Sequence, residues 1–136
     1  SNHAFHIRLK KDLHEGLPPL MMQRAHLREI MVNLLVNARE AAGENGIVQV
    51  SCRPSPQYAI ELRVKDSGEG IPPDQREQIF EAYFTTKKKG TGLGLAIVRQ
   101  NTELYGGEIH VESELGVGTE FILTFPTRVL LQENES

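Results

Sequence analysis

Ala59-Ile60-Glu61-Leu62-Arg63-Val64-Lys65-Asp66 alternates without a slip, with Ile60, Leu62 and Val64 on one side of an extended chain and Glu61, Arg63 and Lys65 on the other. One face of such a strand packs and the other is wet. Reading outward, residues 47–53 form a second strand, joined to the first across Pro54-Ser55-Pro56. Upstream of these, Leu27, Ile30, Met31, Leu34, Leu35, Ala38 and Ala41 recur at helical spacing, which predicts a helix over residues 25–42 with stop signals at Gly43 and Gly46. Near the start, Phe5, Ile7 and Leu9 alternate with His6, Arg8 and Lys10, the pattern of a half-buried strand that runs out at Gly16-Leu17-Pro18-Pro19.

Downstream of Gly68 and Gly70, Pro72-Pro73-Asp74 starts a short helix that carries Ile79 and Phe80 towards the core. A polar loop over residues 85–91 leads into a helix over residues 93–105, stopped by Gly106-Gly107. Residues 108–113 and 119–125 close the fold as two strands around a turn at Gly116-Val117-Gly118, with Phe121, Leu123 and Phe125 alternating against Glu120, Ile122 and Thr124. Strands wetted on one face with helices gathered on the other make a two-layer α/β sandwich of the α+β class. The expected sheet is five-stranded, mixed and mostly antiparallel, covered on one face by three helices. Residues 5–127 are expected as its one domain, with 1–4 a vector scar and 128–136 a C-terminal tail whose Val129, Leu130 and Leu131 are apolar enough to dock.

Composition narrows the function. At 136 residues the chain can bury a real core without disulfide or metal staples. A formal charge of -3, from 18 acidic and 15 basic residues, argues against a broad basic surface for nucleic acid. Cys52 is alone, which excludes an intrachain disulfide or an all-cysteine zinc site and suits a reducing, cytoplasmic compartment. The apolar runs, Phe121-Ile122-Leu123 among them, fall far short of the ~20 residues that span a bilayer, so no membrane contact by this domain is expected.

Three polar segments stand out from this frame. Asn33 and Asn37 lie about 40° apart around one helix, with Glu29 and Glu40 continuing the stripe. Each asparagine costs a helix interior about 0.5 to 0.7 kcal/mol relative to alanine, so the pair wants a reason. Solvation or capping is the plain one. Mg²⁺ is the other, since it takes one or two protein oxygens and completes its octahedron with water and phosphate, and an Asn37 amide oxygen suits that role. Asp66 closes a strand, where a carboxylate can receive the exocyclic amine of adenine while Gly68 and Gly70 let backbone approach the ring; a simple Asp-Ser-Gly turn is the alternative. Thr119, on a neighbouring strand, is placed to hold that carboxylate. Gly90-Thr91-Gly92-Leu93-Gly94-Leu95 opens a helix whose free N–H groups and dipole favour phosphate. It lacks the Gly-Lys-Ser/Thr ending of a P-loop and follows no strand, so it fits neither of those motifs. Of Lys87, Lys88 and Lys89, Lys87 is taken as a specific phosphate contact, although lysine runs are usually solvated.

Together these segments resemble the catalytic ATP-binding domain of sensor histidine kinases, within the GHKL group that also holds the gyrase, Hsp90 and MutL ATPases. Glu29-Ile30-Met31-Val32-Asn33-Leu34-Leu35-Val36-Asn37-Ala38 is similar to the N box and Asp66-Ser67-Gly68-Glu69-Gly70-Ile71 to the G1 box. Phe80-Glu81-Ala82-Tyr83-Phe84 resembles the F box, Gly90-Thr91-Gly92-Leu93-Gly94-Leu95-Ala96-Ile97-Val98 the G2 box, and Gly118-Thr119-Glu120-Phe121 the closing strand motif. The likeness runs over residues 5–126, and four boxes in order are far more specific than any one. It implies the Bergerat sandwich fold and a site for ATP and Mg²⁺. Asn33 and Asn37 would be catalytic, with Asn37 the Mg²⁺ ligand, and residues 85–91 would form a mobile lid. Asp66, Gly68, Gly70, Ile71, Lys87, Thr91, Gly92, Leu93, Gly94, Leu95 and Thr119 would surround the nucleotide.

The hydrolytic relatives carry a water-activating glutamate where this chain has Asn33. An amide is no general base, so the resemblance implies phosphoryl transfer to a histidine imidazole rather than hydrolysis. A serine kinase of the anti-sigma type, which shares the fold, is the alternative outside two-component signalling. The acceptor is expected on a dimerisation helical hairpin outside these residues, with a response regulator downstream. The fragment itself is expected to be monomeric, and the full-length protein homodimeric and open to membrane anchoring. His14-Glu15-Gly16-Leu17-Pro18-Pro19-Leu20 imitates an acceptor motif, but Gly16 and two prolines break any helix there. Many members carry a basic residue where this chain has Glu40, and Arg39 lies about 100° round the helix, which puts a phosphate contact from that position in doubt.

Overall fold

A computed structural model describes residues 8–17, 20–56, 60–85 and 92–126. Phe5, Ile7, residues 1–4 expected as a scar, residues 128–136 expected as a tail and nearly all of the expected lid lie outside them. The elements run β1 (Arg8–Leu13), α1 (Arg24–Ala42), β2 (Ile47–Arg53), β3 (Ile60–Asp66), two 3-10 turns (Pro73–Gln75 and Gln78–Phe80), α2 (Gly94–Leu104), β4 (Glu108–Glu114) and β5 (Gly118–Phe125). The sheet order is β1-β2-β3-β5-β4, with β1 parallel to β2 and every other pair antiparallel.

Burial follows the alternation that defined β3, where Ile60, Leu62, Val64 and Asp66 are buried and Lys65 is exposed. Pairing carries that face across the sheet, since Val50 and Phe121 flank Val64 in register. Onto this surface α1 sets Ile30, Leu34 and Ala38, one residue per turn, all buried. Val98 of α2 and Phe80 of the second 3-10 turn complete the core. Each large aliphatic side chain sunk here contributes about 1.5–3 kcal/mol. α1 ends at Gly43, whose φ of 71° no β-carbon tolerates well and whose N–H closes the last turn on the Arg39 carbonyl at 3.2 Å.

Three expectations are refined. β1 is not half-buried: all six residues are exposed, Leu9 and Leu13 at 53% and 58%, because α1 lies over β2 and β3 and leaves the edge strand uncovered. The third helical segment is a pair of 3-10 turns, with Arg76 N–H on the Pro73 carbonyl and Glu81 N–H on the Gln78 carbonyl. So short a segment is well below the ~12 residues at which an α-helix sustains itself. Ile122 and Thr124 point to the open face yet are buried, since β5 is internal and Arg63, bonded to Glu61 and Glu120 at 3.0 and 3.2 Å, lies beside them.

Candidate nucleotide-binding site

α1 presents Asn33 and Asn37 on the edge beside its buried stripe, both half-buried. Asn33 donates from Nδ2 to the Glu29 carbonyl at 2.8 Å, which fixes its amide. Its Oδ1 lies where a β-carbon on Gly94 would come within 3.0 Å, so the first residue of α2 sits against it. Glu40 continues the same edge, and Arg39 is exposed on another face.

β3 delivers Asp66, 2% exposed, at its end. The Gly68 N–H donates to Asp66 Oδ1 at 2.9 Å, forming an Asx turn that leads the chain away from the sheet. Gly68 itself does not face the cavity described below. A β-carbon there would meet the Ala41 carbonyl at 2.3 Å, so its smallness lets the turn pass under the end of α1. Gly70, at φ 85°, is pressed likewise against the Glu114 carbonyl. The room that Gly68 leaves is thus needed by the chain's own backbone, whatever ligand approaches it.

Thr119 stands directly opposite Asp66 in the β3–β5 register, and its hydroxyl lies 2.7 Å from Ser113 Oγ. Ser113 Oγ also accepts the Ile71 N–H at 2.8 Å, which ties the loop after Asp66 to β4. The Gly116 N–H donates to the Glu69 carbonyl at 2.8 Å and adds a second tie. Sequence reasoning missed Ser113, and nothing local could have found it. Its role comes from pairing partners 42 residues away in the chain.

The third wall is the start of α2. Leu93 caps the helix, its carbonyl accepting the Ile97 N–H at 2.9 Å. Just before it, the Gly92 carbonyl accepts the Tyr83 N–H at 2.7 Å. A β-carbon on Gly92, at φ 76°, would fall 2.4 Å from Tyr83 backbone, so only glycine fits. Tyr83 takes the left-handed conformation too, at φ 70°.

These walls enclose a cavity of about 680 Å³, within the range of small-molecule sites. Asn33, Asn37, Asp66, Gly70 and Ile71 line it, as do Gly92, Gly94, Leu95 and Thr119. Gly68 and Leu93 are not among its lining residues. Lys87 and Thr91 lie outside the described residues. Glu40, Gln75, Ile79 and Leu115 were not among the expected ligand contacts and also line it. Leu115 had a signal, an apolar residue left 58% exposed beside a glycine turn. Among the described residues no cluster of three or more His, Cys, Asp or Glu side chains could hold a metal alone. No described helix is long and apolar enough to cross a membrane.

A two-layer sandwich with a buried carboxylate at a strand end, paired helix asparagines and a glycine-rich helix start defines a nucleotide-binding domain of the Bergerat type. Residues 22–129 match the family described as histidine kinase-, DNA gyrase B-, and HSP90-like ATPase, and the chain belongs to that family. It is 39% identical over 123 residues to the sensor histidine kinase ZraS of Escherichia coli (strain K12), covering 90% of this chain and 26% of that protein. Sporulation kinase E of Bacillus subtilis (strain 168) is 34% identical over 130 residues, 96% of this chain and 18% of the relative. The chain thus spans about a quarter or less of these relatives. Among solved structures, the nucleotide-free catalytic domain of histidine kinase ThkA superposes with a TM-score of 0.79 at 34% identity, over 90% of this chain and 80% of that one. Full-length ShkA in complex with AMPPNP also gives 0.79, at 33% identity, over 91% of this chain and 26% of that one. The domain is a histidine kinase ATPase domain, homologous to those of sensor kinases.

Proposed function

We propose that the cavity binds ATP with Mg²⁺ and that the domain delivers the γ-phosphoryl group to a histidine imidazole on a helical hairpin, within a two-component sensor. The observation that carries this is a single cavity joining a buried carboxylate to the glycine-rich start of a helix. Asp66 accepts the adenine amine, against an apolar wall that includes Ile71 and Leu115. The N–H groups of the first turn of α2, which helix geometry leaves without carbonyls inside the helix, receive phosphate oxygens.

The donor set suits a hard divalent cation such as Mg²⁺. Amide and carboxylate oxygens from Asn37 and Glu40 on one helix edge give few hard ligands, which fits an ion held mainly by phosphates and water. When bound, the ion supplies charge neutralisation to the triphosphate. Asn33 cannot take a proton from water, so the site favours a nucleophile that needs no strong base. In the full-length protein the hairpin would supply that histidine and the dimer contact, with the domain in the cytoplasm and a response regulator as the next acceptor.

Calorimetric titration with ADP, with and without Mg²⁺, tests the site. Asp66→Asn turns an acceptor into a partial donor facing another donor, and we expect affinity to fall more than about tenfold. Unchanged affinity would remove the adenine assignment. With a hairpin protein added, acid-labile phosphohistidine is expected, and acid-stable phosphoserine instead would overturn the acceptor.

A further inference from the structure

α1 and α2 run antiparallel and meet at three levels, by hydrogen bonds at two of them. Asn33 lies against Gly94 at the start of α2, and the Tyr105 hydroxyl meets His26 Nδ1 and the Gln23 N–H at its end. Between them, Asn101 Nδ2 donates to Glu29 Oε1 at 2.8 Å. Asn101 is only 8% exposed, between Val98 and Thr102, both wholly buried. The Thr102 hydroxyl is satisfied within its own helix, on the Val98 carbonyl at 2.7 Å, whereas the Asn101 amide reaches across to the other. Its acceptor is the residue whose backbone carbonyl orients Asn33.

We propose that the Glu29–Asn101 pair positions the phosphate-binding half of the site. Neither residue lines the cavity, so both act through others. Directional hydrogen bonds fix the register of two packed helices more closely than apolar contacts do, and of those joining α1 to α2 the Glu29–Asn101 bond is nearer the start of α2 than those of Tyr105. One residue of slip is about 1.5 Å, enough to carry an N–H out of hydrogen-bond range of a phosphate oxygen. Holding α2 in register keeps Gly92, Gly94 and Leu95 at a set distance from Asn37. Asp66 and Thr119, carried by the sheet, do not depend on it. The pair should therefore govern affinity for the triphosphate and leave adenine recognition alone. The inference rests on the nucleotide reading above.

The test compares adenosine with the non-hydrolysable ATP analogue AMPPNP plus Mg²⁺, by calorimetry, on the wild-type chain and three variants. Asn101→Asp sets two carboxylates face to face. Glu29→Ala removes the acceptor from an exposed position and keeps the question open if the first variant misfolds. In Glu29→Gln with Asn101→Asp the bond re-forms with donor and acceptor exchanged. Both single variants are expected to weaken AMPPNP about tenfold while adenosine stays within about twofold, and the double variant to recover AMPPNP binding. Equal losses for both ligands, no loss, or no recovery would overturn the proposal and leave the nucleotide site standing. A wild-type chain that binds neither ligand would remove the nucleotide reading and this inference with it.

Discussion

Gly68→Ala should cost about 1–3 kcal/mol of stability by urea unfolding, because the added carbon meets the rigid Ala41 carbonyl at 2.3 Å. In sequence a glycine announces a close approach without saying what approaches, so this neighbour of Gly68 was not legible there. Asp66 and Asn37 could be singled out because a carboxylate ending an apolar strand and an amide inside a strong helix are locally costly. Asn101 was illegible for the same reason as Ser113, its partner lying 72 residues away. Cys52 offers a check on burial. Partial burial raises its thiol above the ordinary 9.0, so the folded chain holds the proton to higher pH than the unfolded one. Folding stability from this group is intact below about pH 9 and declines as pH rises beyond it. At pH 8 iodoacetamide should modify native Cys52 more slowly than the urea-unfolded chain, as followed by mass spectrometry.

Among the elements, α1 and β3 could be read to within a residue because each has one uninterrupted period and a defined stop. The segment between Gly70 and Phe84 could not, being too short for periodicity to separate an α-helix from 3-10 turns. What it does is nonetheless definite. Phe80 meets Phe121 edge-on at 6.1 Å between ring centres, and the Arg99 guanidinium of α2 stands 5.7 Å over its ring. The second 3-10 turn is thus the wedge between α2 and the sheet. Phe80→Ala should remove about 3 kcal/mol from the unfolding free energy, from the lost burial of the ring together with the cavity left behind. A loss below about 1 kcal/mol would show the wedge to be dispensable.

Over the whole molecule, stability is distributed unevenly. β3 and β5 are internal strands, while β1 is paired on one side only among the described residues and exposed along its length. The sequence displayed the apolar face of β1 but not whether anything covers it, which depends on where α1 crosses the sheet. Amide hydrogen exchange should therefore be fastest in Arg8–Leu13 and slowest in Ile60–Asp66 and Gly118–Phe125, and equal protection would contradict the uncovered edge. The backbone bond between Tyr83 and Gly92 has a different kind of consequence. It brings the two ends of an intervening stretch together, so the start of α2 is tied to the second 3-10 turn whatever the length of chain between them. Doubling the length of such a stretch adds only about 0.6 kcal/mol of closure entropy. Residues inserted between Phe84 and Gly92 should accordingly cost the fold little, and related chains can lengthen there while the start of α2 stays where it is.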